Sequence, residues 1–115
     1  MKVFVYGTLR RGQTAHHLLA GARFIATAWT EREYTLLDMG AYPALVAGGN
    51  TAVLGEIYEL DAQCLPELDR YEDAPHLYRR VLTTIGNHEV FVYLLGAEHA
   101  SNRPKLPGGD WCGRS

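Results

Sequence analysis

Lys2-Val3-Phe4-Val5-Tyr6-Gly7-Thr8-Leu9-Arg10-Arg11-Gly12 is the stretch whose reading decides the fold. Val3 to Tyr6 is a run of β-branched and aromatic residues, the composition of a strand. Gly7 interrupts it at once. A strand followed directly by glycine, Thr8 and Leu9 describes a backbone that turns sharply at the edge of a sheet. A glycine there can take dihedrals closed to other residues and lets a ligand come close to the main chain. The N–H groups of Gly7, Thr8 and Leu9 can then converge as a nest for an anion, with Arg10 and Arg11 adding positive charge just beyond. An ordinary β-turn with a solvated basic tail accounts for the same letters.

Beyond this stretch, Thr14 can cap a short helical turn through Leu19, stopped by Gly21. His16 and His17 are adjacent on it, a spacing that does not aim two side chains at one metal. Ala22–Thr30, Tyr34–Asp38 and Tyr42–Val46 have strand composition, with Pro43 at the start of the third, where a missing N–H does least harm. Gly48-Gly49-Asn50 is a turn. Thr51–Leu60 alternates as a long strand, and Gly55 inside it signals a bulge or a close approach. Asp61 can cap a helix to about Tyr71, with Pro66 distorting its first turn or marking where the regular helix begins. Leu77–Thr84 and Asn87–Leu95 complete the strands. Val90–Leu95 is apolar throughout, as in a strand buried on both faces. Gly96–Ser115 is loop-like, and Trp111 is expected to dock it onto the body. About seven short strands and one main helix, with turns every eight to twelve residues, give an α+β domain over residues 1–115. The expected form is a small mixed β-barrel with the 61–71 helix packed against it.

Composition excludes several classes. The chain has 115 residues and a formal charge of −2, enough length for one proper core and no basic excess that would suit nucleic acid or an anionic membrane. No apolar run approaches membrane-spanning length, and a strand beginning at residue 2 leaves no room for a signal peptide. Cys64 and Cys112 are too few for a disulfide framework and lack metal-ligand spacing. The expectation is a reduced, cytoplasmic protein.

One acid stands out of place. Leu65, Leu68 and Glu72 fall at i, i+3 and i+7, a single stripe, while Glu67 and Arg70 point elsewhere. Glu72 is either at a fraying margin in contact with water or held in a cavity. In the second case burial raises its pKa and suits it to act as a general base. Among the other acids, Glu56 and Glu59 can pair with arginines, Asp73 can cap backbone and Asp38 ends a strand. A phosphate loop would need Gly-Lys-Ser/Thr after the first strand, which Gly7-Thr8-Leu9-Arg10 lacks.

Tyr6-Gly7-Thr8-Leu9, then Gly55-Glu56-Ile57-Tyr58, then Leu68-Asp69-Arg70-Tyr71-Glu72 followed by Tyr78-Arg79-Arg80, and finally Gly109-Asp110-Trp111, resemble the gamma-glutamylcyclotransferase-like family, most nearly its short bacterial YtfP-like branch. The ordered set spans nearly the whole chain. The resemblance implies a small mixed β-barrel with a cavity at one end. It implies a substrate-binding loop at Tyr6, Gly7, Thr8 and Leu9, a catalytic acid/base at Glu72, and cavity-lining tyrosines at Tyr78 and Tyr93. It also implies a small gamma-glutamyl substrate, no metal or cofactor, and 5-oxoproline as product.

That reaction makes three demands: a substrate folded so that its α-amine meets its own γ-carbonyl, a base for the α-ammonium, and donors for the oxyanion. A free glutamate near ~4.3 and an α-amine near ~7.7–8.0 are mismatched by about 5 kcal/mol, so an exposed carboxylate would be a poor acceptor. The alternatives are a non-catalytic module that binds a small anion or amino-acid derivative in the same cavity, and a partner-binding barrel with an apolar patch. The leaving amine, free or carrier-bound substrate, and oligomeric state are not legible in the sequence.

Overall fold

Val3 to Tyr6 send side chains into two separate cores. Val3 and Val5 join Tyr58, Leu65, Leu68, Tyr93 and Leu95, whereas Phe4 and Tyr6 join Leu36, Leu45, Ile57, Val92 and Leu94. This is the period-two alternation of a strand covered on both sides. The computed structural model describes residues 1–100 and 102–115. Its strands are β1 (Lys2–Val5), β2 (Arg23–Trp29), β3 (Tyr34–Asp38), β4 (Pro43–Ala47), β5 (Leu54–Glu59), β6 (Tyr78–Ile85) and β7 (His88–Leu95), and its α-helix is α1 (Leu65–Tyr71).

Five strands form one sheet in the order β2-β5-β1-β7-β6, and β3 and β4 form a separate antiparallel hairpin. β1 runs parallel to β7 and antiparallel to β5. Helix α1 covers one face through Leu65 and Leu68. The hairpin covers the other through Leu36 and Leu45, joined there by Leu106 and Trp111. Trp111 is 3% exposed, so it docks the C-terminal segment as its bulk demands.

The expected barrel does not close. Among the described residues no ladder joins edge strand β2 to edge strand β6. The apolar filling of that side comes from the separate hairpin and the C-terminal segment, which removes the need for closure. Both edges carry exposed arginines, Arg23 on β2 and Arg79 and Arg80 on β6, which discourages further strand pairing. The mixed α+β class stands.

Several local readings are refined. β5 starts at Leu54 instead of Thr51, because the Leu54 N–H donates to the Gly109 carbonyl (2.8 Å) and Thr51 forms only an isolated bridge to Tyr34. The register shift lies in β2, between Phe24 and Ala26. Gly55 answers instead to crowding, since a Cβ there would stand 2.4 Å from the Phe4 ring and 2.5 Å from the Val5 carbonyl oxygen. Ala62–Cys64 is a 3-10 turn and α1 follows with Pro66 in its first turn, so the regular helix does begin near that proline. Asp61 makes no side-chain cap. The helical turn expected from Thr14 is a 3-10 turn at His16–Leu19 preceded by Ala15. The β6–β7 turn is Gly86-Asn87, both at positive φ (56° and 65°), the backbone twist that a two-residue hairpin favours. Residue 101, part of the stretch read as loop, lies outside the described residues. Among the described residues no helix is long and apolar enough to cross a membrane.

Candidate active site

The end of β1 is fixed by its tyrosine. The Tyr6 hydroxyl donates to the Tyr93 carbonyl (2.7 Å) and accepts from the Leu45 N–H (3.3 Å). It thereby links the sheet to the hairpin. The chain then turns: the Arg10 N–H donates to the Gly7 carbonyl (3.0 Å) and the Ala15 N–H to the Thr8 carbonyl (2.9 Å). Among the described residues, no carbonyl or side chain accepts from the N–H groups of Gly7, Thr8 or Leu9, so a bound group can take them.

Gly7 is needed for a different reason from the one its position suggests. Its φ is not in the left-handed region. A Cβ on it would stand 2.3 Å from Pro43 Cγ and 2.5 Å from Pro43 Cδ, so the close approach is made by the hairpin and not by unusual dihedrals. Nor is the charge of Arg10 free. The Arg10 guanidinium lies 3.5 Å from Glu56 and 3.1 Å from Asp110, and that of Arg11 lies over the Phe24 ring at 4.4 Å. Glu56 also accepts from the Arg11 N–H (2.9 Å) and the Tyr58 hydroxyl (3.0 Å). This buried carboxylate therefore holds the loop's outgoing end.

The second piece of the site arrives at the end of α1. Leu65 and Leu68 are buried, Glu67 and Arg70 are exposed, and Glu72 closes the helix with its N–H on the Leu68 carbonyl (2.9 Å). One turn earlier, Asp69 accepts from the Tyr93 hydroxyl (2.7 Å) and from Arg80 (2.8 Å), which ties the helix to β6 and β7. Tyr71, just before Glu72, shares a hydrogen bond with Thr8 across 2.8 Å, joining the helix end to the loop.

These contacts enclose a cavity of about 270 Å³. Tyr6, Gly7, Thr8, Leu9, Glu72, Tyr78 and Tyr93 all line it; the structure brings together every site residue that the sequence singled out. The Tyr78 hydroxyl donates to the Pro43 carbonyl (2.8 Å). Tyr93 offers only its ring, its hydroxyl being committed to Asp69. Burial raises the Glu72 pKa from its ordinary 4.5 to about 7, because desolvation disfavours the charged form. Burial and then the Glu72 carboxylate push the Tyr78 hydroxyl well above the usual phenol range. Tyr42, Tyr71, Asp73 and Leu77 also line the cavity and were not picked out from sequence. A tyrosine beside a turn proline and another beside the out-of-place acid were the only hints. Among the described residues no group of three or more His, Cys, Asp or Glu is arranged to hold a metal ion.

An acid held near neutrality by burial thus shares one cavity with a loop of unpaired amides on an open α+β sheet. The sequence model described as "Gamma-glutamyl cyclotransferase, AIG2-like" matches residues 3–113, and the chain belongs to that family of gamma-glutamylcyclotransferase-like enzymes. A Vibrio cholerae protein named putative gamma-glutamylcyclotransferase is 40% identical over 97% of this chain and 96% of its own. The Escherichia coli gamma-glutamylcyclotransferase family protein YtfP is 33% identical over 99% of this chain and 98% of its own. A mouse AIG2-like protein of known crystal structure superposes with a TM-score of 0.80 at 33% identity, covering 90% of this chain and 84% of its own.

Proposed function

We propose that the protein is a gamma-glutamyl cyclotransferase that cyclises a gamma-glutamyl amide by internal aminolysis, releasing 5-oxoproline and an amine. The observation that carries this reading is Glu72, a carboxyl held at about 7 by burial in the cavity that the 7–9 loop also lines. The substrate's α-carboxylate sits on the amides of Gly7, Thr8 and Leu9. Holding the α-amine against its own γ-carbonyl contributes up to roughly 7–11 kcal/mol toward the barrier. The Glu72 carboxylate takes a proton from the α-ammonium. The freed nitrogen attacks the γ-carbon, and the carbonyl electrons move onto oxygen, which backbone N–H groups of the same loop stabilise. When the intermediate collapses, the bond to the leaving nitrogen breaks and Glu72 returns the proton to that nitrogen; the carboxylate so regenerated takes the second proton from the ring nitrogen and passes it to the amine, which leaves as an ammonium.

The raised pKa serves both halves. Against an α-amine near ~7.7–8.0, a carboxyl near 7 leaves a gap of about one pH unit, or about 1.4 kcal/mol, in place of about 5. The test is a mass-spectrometric assay of 5-oxoproline from a panel of gamma-glutamyl compounds, wild type against Glu72→Gln. Release is expected from the wild type, with a loss of about 10²–10⁴-fold in the variant. Unchanged turnover in the variant removes Glu72 from the mechanism. Saturable binding without product from either protein, read by calorimetry, means a binding module.

A further inference from the structure

The three carbonyls of the 7–9 loop are all taken. The Arg10 N–H donates to that of Gly7 (3.0 Å) and the Ala15 N–H to that of Thr8 (2.9 Å). The Leu9 carbonyl lies 2.9 Å from His16 Nδ1. A carbonyl only accepts, so Nδ1 carries the proton and donates. These peptide bonds are trans, and in a trans peptide the N–H of the next residue points opposite to the carbonyl. Pinning the Gly7 and Thr8 carbonyls therefore turns the Thr8 and Leu9 N–H groups the other way, where neither meets an acceptor among the described residues. The Leu9 carbonyl shares its peptide unit with the Arg10 N–H, the donor that holds Gly7. His16 thus orients the peptide unit that in turn orients the first of these amides.

We propose that His16 is a positioning residue for anion binding at the amide loop, acting through the Leu9 carbonyl. This rests on the reading that the loop holds the substrate's α-carboxylate, and adds what keeps the loop in shape. Local geometry delivers the ring. Gly12, at φ 83°, lets the chain double back; the Gln13 N–H closes that turn on the Arg10 carbonyl (3.0 Å), and a 3-10 turn then starts at His16. The imidazole packs on the Tyr58 ring, with centroids 5.7 Å apart. Tyr58 is itself held by its hydroxyl on Glu56 (3.0 Å), the carboxylate that also takes the Arg11 N–H (2.9 Å). His16 does not line the cavity, so it acts on a bound group only through the loop. The adjacent His17 is exposed.

Asparagine and glutamine separate the hydrogen bond from the packing. Both remove the ring from Tyr58. The asparagine amide nitrogen stands where Nδ1 stood, whereas that of glutamine lies one bond further out. Wild type, His16→Gln, His16→Asn and, as a control, His17→Gln are compared by nitrogen-15 NMR titration with 5-oxoproline. The same proteins are assayed for kcat and KM of its release from the gamma-glutamyl compound of the panel that wild type uses best. The Thr8 and Leu9 amide signals of wild type are expected to move on titration. His16→Gln should weaken Kd and raise KM by about three- to tenfold, the contribution of one hydrogen bond, with a smaller change in kcat. His16→Asn should recover most of that loss although it melts no higher than His16→Gln, and His17→Gln should match wild type. Equal losses in the asparagine and glutamine variants, or no loss in either, overturn the proposal, as do loop amides that ignore 5-oxoproline. A further check needs no variant: the nitrogen-15 shifts of the wild-type ring must show a proton on Nδ1, and a bare Nδ1 overturns the proposal. Binding of 5-oxoproline in the expected order, with no release by wild type, refutes the cyclotransferase reading and leaves the role of His16 standing. Release with one KM in all four proteins does the reverse.

Discussion

Replacing Glu72 by glutamine is expected to stabilise the protein at pH 8 while changing it little at pH 4.5. Burial holds the carboxyl at about 7 against its ordinary 4.5. The folded protein therefore keeps a proton that the unfolded chain gives up between those values, and stability falls as pH rises through that window. Below it both states are protonated and the penalty is absent; above it both are ionised and the penalty is complete. The interval is about 2.5 pH units, and at about 1.36 kcal/mol each the ceiling is about 3.4 kcal/mol. The carboxyl also faces a cavity that opens to solvent, which reduces the expected figure to about 1.5–2.5 kcal/mol. For a chain of this size that corresponds to a rise in Tm of about 5–10 °C.

The assay is scanning calorimetry of both proteins at half-unit steps from pH 4.5 to 8.5. Every other titrating group is common to the two, so the difference in Tm isolates residue 72. A constant packing change from the amide would shift all points equally and leave the slope intact. A difference that does not grow with pH, or one in which the wild type gains on the variant, refutes the claim that Glu72 is a desolvated acid. The proton-transfer argument would fall with it.

Three other expectations follow from the same geometry. kcat for 5-oxoproline release should climb with pH through about 7 and level off above it, because the base must be ionised to accept a proton; a flat profile from pH 5 to 9 contradicts this. Gly7→Ala places a methyl 2.3 Å from Pro43 Cγ and should cost about 1–3 kcal/mol in urea unfolding, with loss of turnover. Stability equal to wild type would show that the hairpin does not crowd the loop. Glu56→Gln removes one of the two carboxylate charges that Arg10 faces. It should cost about 1–3 kcal/mol and raise KM more than it lowers kcat, as steady-state kinetics would show, because the residue anchors the loop without touching the cavity.

The central strands were legible from their β-branched and aromatic composition, and an apolar residue at every position of Val90–Leu95 pointed to cover on both faces. That Val3–Tyr6 is also covered on both faces is seen only in the fold. The barrel was not legible. Whether β2 meets β6 depends on what fills the space between them, and that filling is Leu36, Leu45, Leu106 and Trp111, contributed by the hairpin and the C-terminal segment. Gly7 was located correctly, but unusual dihedrals are not what requires it, and Pro43, the neighbour that forbids a side chain, lies far along the chain. Arg10 looked like a free charge because its partner Asp110 is 100 residues away. Tyr42 and Tyr71 look like surface tyrosines, and they are exposed. What makes Tyr71 part of the site is its hydrogen bond to Thr8 across 63 residues, a relation that no local pattern encodes.

The acid's chemistry depends on what the surrounding tyrosines are already doing. The Tyr6 and Tyr78 hydroxyls both feel the charge of Glu72, and a bond from either to the carboxylate would lower its pKa by stabilising the charged form. Instead Tyr6 donates to the Tyr93 carbonyl, Tyr78 to the Pro43 carbonyl and Tyr93 to Asp69. Each of these bonds also holds the fold, tying β1 to β7, the hairpin to β6, and α1 to the sheet. The cavity is thus rich in polar groups yet leaves its carboxyl uncompensated. Desolvation is accordingly the cause of the raised pKa. The bonds that position the walls are the same bonds that keep the acid near neutrality.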